Sequence, residues 1–133
     1  MKLMLDTSVL IGYLNDQPDV VTRLVAYKSR EVCFSSIVLL EALTSVHLGQ
    51  QRRANRANVA AAGHKYAVAP FDGRAATCAA ALFAKHDIKG DRAPVFDGLI
   101  AAHAQSLDVP IAYIAGDFNR FAIKKQLWAR SAA

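Results

Sequence analysis

The chain has 133 residues, of which 53% are hydrophobic and 20% charged. These proportions exclude a disordered chain, and we expect residues 1–133 to form a single globular domain. No stretch is apolar for long enough to cross a bilayer, and no signal peptide precedes the first apolar run, which predicts a cytoplasmic protein without membrane association. The net charge of +5, from 16 basic and 11 acidic residues, favours a polyanionic partner.

The first predicted element is a short buried strand at Leu3–Leu5, which is followed directly by the carboxylate of Asp6. The apolar run is too short for a buried helix. Thr7 or Ser8 can cap the next helix by accepting a hydrogen bond from a free backbone N–H. Asp6 is thereby predicted at the carboxyl end of a strand, where parallel sheets bind ligands, although a single acid there is also common as a cap or turn residue.

A second buried strand is predicted at residues 31–35, and Ser35 or Ser36 caps the helix that follows. This helix carries Glu41, one of two glutamates, with no basic residue within five positions of it. If Glu41 is buried and unpaired, it must take up a proton or be compensated by a cation. The alternative is that Glu41 faces solvent between apolar neighbours.

A polar, alanine-rich helix is predicted at residues 50–65, with Arg52, Arg53 and Arg56 in its first half. Such a cluster is usually a solvated helix face, and the alternative is a contact to phosphate or to a partner. Asp72 is predicted to cap the next helix, which extends to about residue 88.

The following helix is expected to begin near Pro94, because proline suits the first helical turn. Asp97 then lies near a helix N-terminus, where the free N–H groups and the helix dipole favour a charged carboxylate. His103 comes six residues later and falls on a different side of the helix. It is predicted to be a packing or surface residue and not a catalytic base.

Two further buried strands are predicted at residues 66–71 and 109–115, with a short edge strand at 126–130. Asp117 follows the strand at 109–115, so a carboxylate again comes just after a strand's carboxyl end. Because strands and helices alternate, we expect an α/β fold: a mostly parallel sheet with helices on both faces, in a three-layer α/β/α sandwich.

In that fold, four acids fall on one edge of the sheet: Asp6, Glu41, Asp97 and Asp117. Carboxylates brought together repel one another unless a divalent cation binds between them, and oxygen ligands select a hard ion such as Mg²⁺ or Mn²⁺. Such an ion activates water for phosphodiester hydrolysis. Without these four acids, seven acidic residues remain against 16 basic ones, which fits a nucleic-acid strand as substrate. The sequence lacks zinc-type His/Cys spacing, a Walker-type loop and a G-x-S-x-G motif.

With these acids in view, the chain resembles the PIN-domain ribonucleases, and more narrowly the VapC-type toxins of bacterial toxin–antitoxin pairs. The most specific matching segment is residues 97–104 (DGLIAAHA). The other matching segments follow in the family's order: residues 5–11, residues 36–43, residues 70–72, Gly90, and Asp117 with Phe121.

The resemblance implies a Mg²⁺- or Mn²⁺-dependent endoribonuclease that acts on RNA as the toxin of such a pair. It also implies a homodimer, a cognate antitoxin that inhibits the enzyme, and assembly into a larger toxin–antitoxin complex. Asp6, Glu41, Asp97 and Asp117 would be the acidic quartet, with Asp6 and Asp97 as the strongest metal ligands. The chain departs from the family at Ala115, where many members have a threonine.

The resemblance does not assign the residues that contact RNA, because these contacts are not fixed in sequence within the family. Lys89, Arg92 and Arg120 are candidate RNA contacts because they lie near two of the acids in the sequence. Ser8 stands where the family often has asparagine, and it is a candidate small polar contact near the site.

Two other classes of function compete with this one. A PIN fold that has lost catalysis would serve as an RNA-binding or interaction module, but the intact quartet argues against it. A Mg²⁺ phosphatase of the haloacid dehalogenase type requires an aspartate where Ser8 stands, and a response-regulator receiver requires paired acids after the first strand, which are absent.

Overall fold

A five-stranded sheet lies at the centre of the computed structural model, which describes residues 1–49, 55–86 and 95–128. The strands are β1 (Leu3–Leu5), β2 (Val32–Ser35), β3 (Ala67–Ala69), β4 (Ile111–Tyr113) and β5 (Lys125–Leu127). The helices are α1 (Thr7–Leu14), α2 (Pro18–Leu24), α3 (Ser36–His47), α4 (Arg56–Lys65), α5 (Gly73–His86) and α6 (Val95–Ser106).

The strand order is β3-β2-β1-β4-β5, and every neighbouring pair is parallel. The predicted α/β class is confirmed, and the sheet is parallel throughout. Each predicted strand is present: the bounds of β1 are as expected, and those of the other strands differ by at most three residues. From β1 the chain proceeds to β2 and β3 on one side, then returns to β4 and β5 on the other. The direction of winding therefore reverses between β1 and β4, the position where open parallel sheets bind ligands.

The helices divide into two groups around the sheet. α1 contacts α2, α3 and α4, whereas α5 packs along α6. Because crossovers between parallel strands are right-handed, connections that run in opposite directions along the sheet place these two groups on opposite faces. Between them β1 is completely buried, with Leu3, Met4 and Leu5 each 0% exposed. A strand buried on both faces has to be apolar throughout, as this one is.

One predicted helix cap is wrong. Asp6, and not Thr7 or Ser8, caps α1: its backbone is extended and its Oδ1 accepts a hydrogen bond from the Val9 N–H at 2.9 Å. The strand ends at Leu5, so the carboxylate already occupies the cap position, where aspartate is as effective as serine. Thr7 and Ser8 become the first residues of α1, and their hydroxyls are directed to other partners.

The remaining caps agree with the predictions where they can be compared. The Ser35 hydroxyl caps α3 by accepting from the Ile37 N–H, and Asp72 accepts from Ala75 at the start of α5.

The helix predicted over residues 50–65 is shorter, because Asn55 is extended and its side chain caps α4 at Asn58. An asparagine that bonds the backbone in this way competes with helix continuation. Arg52 and Arg53 lie outside the described residues. Within the described ranges, no helix is long and apolar enough to span a bilayer.

Candidate active site

A cavity of about 450 Å³ opens where the winding direction reverses, beside the carboxyl ends of β1 and β4. Three carboxylates line it, and they come from three different elements: Asp6 after β1, Glu41 on α3 and Asp97 on α6. Its remaining polar side chains are Thr7, Ser8, Gln17 and Ser45. The structure thus brings three of the four predicted acids to one cavity.

Asp6 is the most buried of these acids, with 3% of its surface exposed. Its N–H donates to the carbonyl of Ala112 on β4 at 3.0 Å, and its carboxylate caps α1. Burial raises the pKa of Asp6 from 3.8 to about 7, against the lowering effect of its hydrogen bonds from Val9 and Ser8. Asp6 is therefore a rigidly held carboxylate that is costly to ionise without a compensating charge.

The hydroxyl of Ser8 connects Asp6 to the end of β4. It lies 2.8 Å from each oxygen of the Asp6 carboxylate, and it accepts hydrogen bonds from the N–H groups of Ile114 at 3.0 Å and Ala115 at 3.2 Å. A hydroxyl has one proton to donate, so it serves one carboxylate oxygen at a time while accepting from the two amides. Ser8 lies in the cavity, as expected, but its hydrogen-bonding capacity is used within the protein.

Glu41 lies in the wall of the cavity. It is therefore not a simple surface residue between apolar neighbours, which was the alternative that the sequence left open. It is half-buried, and its Oε1 accepts a hydrogen bond from the Thr7 hydroxyl at 2.5 Å. Burial raises the pKa of Glu41, the Thr7 hydrogen bond lowers it, and the charge of Asp97 raises it further. Glu41 and Asp97 are therefore close enough for their charges to interact.

Asp97 lies in the first turn of α6, as predicted. Its Oδ2 accepts a hydrogen bond from the backbone N–H of Asp117 at 2.9 Å. Burial raises the pKa of Asp97, the Asp117 N–H lowers it, and the nearby Asp117 carboxylate raises it. None of the basic side chains that the structure describes forms an ion pair with Asp6, Glu41 or Asp97.

Asp117 differs from the other three acids. Its side chain is 51% exposed and pairs with Arg120, with 3.0 Å between Oδ2 and Nε. Its side chain does not line the cavity, and its described contact with the site is the backbone hydrogen bond to Asp97. The RNA contact predicted for Arg120 stays a prediction, since the contact described for it is the ion pair with Asp117. Lys89 and Arg92 lie outside the described residues.

His103 is a buried packing residue, as expected. Its Nδ1 lies 2.8 Å from the Ser35 hydroxyl, and its ring packs edge-to-face on Phe71. Burial lowers the pKa of His103, with a smaller opposing effect from the charge of Asp72.

The donor chemistry of the cavity fits a hard divalent cation. All three carboxylates supply oxygen ligands, burial raises the pKa of each, and a bound cation would offset that unfavourable charge. Among residues 1–49, 55–86 and 95–128, no three His, Cys, Asp or Glu side chains are close enough together to form a ready metal cluster. The carboxylates share a cavity without converging on one point.

Sequence reasoning missed the role of two residues. Thr7 was interpreted as a helix cap, yet it holds Glu41, 34 positions away. Gly116 lines the cavity at a φ of +111°. In the sequence, the position of this glycine between a predicted strand and Asp117 is the signal that could have indicated its role.

The fold and the site define a class: an all-parallel α/β protein with buried carboxylates in a cavity at the point where the winding direction reverses. The PIN domain family model matches residues 3–124, so the chain belongs to the PIN-domain family. The resemblance inferred from the sequence is thereby confirmed.

Within this family, the chain is similar to VapC proteins. The chain is 28% identical over 106 residues to the tRNA(fMet)-specific endonuclease VapC of Shigella flexneri, covering 80% of each protein. Its fold is similar to the DNA-bound VapBC structure from Salmonella typhimurium, with a TM-score of 0.77, 27% identity and coverage of 97% of this chain and 99% of the other. It is also similar to VapBC2 of Rickettsia felis bound to promoter DNA, with a TM-score of 0.80, 21% identity and coverage of 96% and 99%.

Proposed function

We propose that this protein is a Mg²⁺- or Mn²⁺-dependent endoribonuclease that hydrolyses RNA phosphodiester bonds and acts as the toxin of a toxin–antitoxin pair. The observation that carries the proposal is the meeting of Asp6, Glu41 and Asp97, from three separate elements, in one cavity of a PIN fold. Buried acids that form no ion pair among the described residues cost stability, and such groups are typical of functional sites.

Asp6 and Asp97 would hold the cation, with Glu41 and Asp117 contributing through water or a second ion. When bound, such a cation supplies positive charge to the reacting phosphate and makes a coordinated water more acidic. Glu41 is suited to accept a proton, because burial raises its pKa above that of an ordinary glutamate. Thr7 donates a hydrogen bond to Oε1 of Glu41, which leaves Oε2 as the proposed accepting atom.

The rest of the chain supports an RNA substrate. Basic residues outnumber acidic ones by 16 to 11, although acids are concentrated at the site. RNA is expected to bind through phosphate contacts from basic residues, with Arg120 as a candidate, and Lys89 and Arg92 are candidates from the sequence alone. The VapC relative from Shigella flexneri is named as a tRNA(fMet)-specific endonuclease, which makes transfer RNA the first substrate to test.

The similarity to VapBC structures supports an antitoxin partner. We further propose a homodimer that assembles with the antitoxin into a larger complex in the cytoplasm. Growth arrest on expression, relieved by the protein encoded beside this gene, would test the toxin role.

The decisive experiment is cleavage of total cellular RNA, including transfer RNA, by purified protein free of antitoxin. Reactions would contain Mg²⁺, Mn²⁺ or EDTA, and Asp6→Asn would be compared with Asp108→Asn. Asp108 is a matched control because it is exposed, pairs with Lys124 and precedes β4 at the opposite edge of the sheet. We expect metal-dependent cleavage that falls at least about a hundredfold in Asp6→Asn and is retained in Asp108→Asn.

The other outcomes separate the alternatives. Cleavage that survives both EDTA and Asp6→Asn would come from a contaminating nuclease. RNA binding by folded protein without cleavage in any reaction would favour the catalytically inactive RNA-binding module.

A further inference from the structure

The backbone that leaves β4 contacts Asp97 directly and Asp6 through the hydroxyl of Ser8. The N–H groups of Ile114 and Ala115 donate to Ser8, whose hydroxyl contacts Asp6. The N–H of Asp117 donates to Asp97 at 2.9 Å. A short backbone segment, residues 114–117, therefore orients carboxylates that are supplied by β1 and by α6.

Gly116 is the residue that makes the second contact sterically feasible. Its φ of +111° is a conformation that L side chains rarely adopt. A Cβ at this position would lie 3.0 Å from Oδ2 of Asp97 and 3.0 Å from the ring of Phe118, which is fully buried. Since the buried ring has little freedom to move, a methyl group at position 116 would displace the Asp97 carboxylate.

Position 117 reaches Asp97 through its backbone. The Asp117 carboxylate turns to Arg120, whereas its N–H supplies the hydrogen bond to Asp97. The direction of that N–H depends on the peptide between residues 116 and 117, which the conformation of Gly116 sets.

We propose that Gly116 is a positioning residue for Asp97: its backbone conformation aims the Asp117 N–H at the Asp97 carboxylate, and its lack of a side chain leaves room for that carboxylate. The consequence for metal binding rests on the proposed function, whereas the orientation of Asp97 does not. By fixing one oxygen, the backbone presents the other side of the carboxylate to the cavity, in the way that outer hydrogen bonds orient metal ligands.

The test compares Gly116→Ala with Gly49→Ala. Gly49 is a matched control because it also has a positive φ, +66°, but a Cβ there would meet no atom within 4 Å. Mn²⁺ affinity would be measured by calorimetry, and the Asp117 amide would be followed by NMR in metal-free protein. We expect Gly116→Ala to weaken Mn²⁺ binding about tenfold and to move the Asp117 amide proton upfield, with less than about a twofold change in affinity for Gly49→Ala.

Equal affinity and an unmoved Asp117 amide in Gly116→Ala would overturn the inference. If that variant fails to fold, Asp97→Ala provides the second test: loss of the acceptor must move the Asp117 amide upfield, and an unchanged amide would contradict the proposed contact. Wild-type protein that neither binds Mn²⁺ nor cleaves RNA would instead overturn the proposed function, while the amide shift would still decide whether Gly116 orients Asp97.

Discussion

Asp6 and Asp117 are both acids that follow a strand of the same sheet, yet they end in opposite environments. Asp6 comes directly after β1, is 3% exposed and is held by hydrogen bonds from Val9 and Ser8. Asp117 comes four residues after the end of β4, and its half-exposed side chain pairs with Arg120. The distance from the strand end decides the difference: the adjacent residue stays in the buried layer, whereas a residue several positions later is carried to the surface.

The largest stability effect is expected at Asp6 itself. The pKa of Asp6 is about 7 in the folded protein and 3.8 in a model peptide, so the folded state holds an extra proton between these values. Folding stability is therefore lost as the pH rises from about 4 through 7, by up to about 4 kcal/mol. Asp6→Asn keeps a capping oxygen and abolishes this titration, so in EDTA it should unfold at a higher temperature than wild type at pH 8.

Thermal unfolding at pH 8 and at pH 4 would measure the effect, which should become much smaller at the lower pH. If Asp6→Asn is less stable than wild type at pH 8, the negative charge of Asp6 is already offset by other groups in the metal-free protein.

The second effect concerns Ser8. Ser8→Ala removes the acceptor of two N–H groups and a donor to Asp6, which should lower the free energy of unfolding by about 1–3 kcal/mol. Ser106→Ala is the matched control, because the Ser106 hydroxyl donates only to a carbonyl of its own helix, and it should change stability by less than about 0.5 kcal/mol. Urea unfolding would measure both, and equal values would show that Ser8 does not join the two strand ends.

Thr7→Val is expected to change the pH dependence of cleavage. Valine keeps the shape of the threonine side chain and removes the hydrogen bond to Glu41. That hydrogen bond lowers the pKa of Glu41, so its loss raises this pKa and keeps the proton on Glu41 to a higher pH. The acidic limb of the pH–rate profile should move to higher pH, with up to about a tenfold loss of cleavage on that limb and no loss above it. Thr7→Ser should restore the wild-type profile, and an unshifted limb in Thr7→Val would exclude Glu41 as the proton acceptor.

The smallest effect on stability is expected at Asp117, the exposed acid. Asp117→Asn removes an ion pair in which both side chains are more than 40% exposed, so solvent screening limits its effect on the free energy of unfolding to less than about 1 kcal/mol. It keeps the backbone N–H that contacts Asp97. A larger loss, measured by urea unfolding, would show that the Asp117–Arg120 ion pair stabilises the fold more than its exposure implies.

The same comparison explains what the sequence could predict. The apolar run at residues 3–5 and the acid after it sufficed to predict β1 and the place of Asp6, because both follow from local pattern. The alternation of elements predicted a parallel sheet, but not the strand order that joins β1 to β4, which depends on contacts distant in sequence.

Local sequence pattern does not predict the direction in which a loop side chain points. Asp117 was grouped with the other acids because it follows a strand, but Gly116 and Arg120 determine where its backbone and carboxylate point. Likewise, Thr7 had a local interpretation as a cap, and its hydrogen bond to Glu41 arises only when α1 packs against α3.

We propose that Asp6 and Asp97 hold a divalent cation in the cavity that they share with Glu41, and diffraction from Mn²⁺-soaked crystals tests this claim most directly. Anomalous scattering collected at the manganese absorption edge locates the ion without assumptions about activity. We predict a peak inside the cavity, in contact with the carboxylates of Asp6 and Asp97, that disappears in Asp6→Asn crystals. Manganese bound only elsewhere, or an empty cavity at saturating Mn²⁺, would contradict the claim.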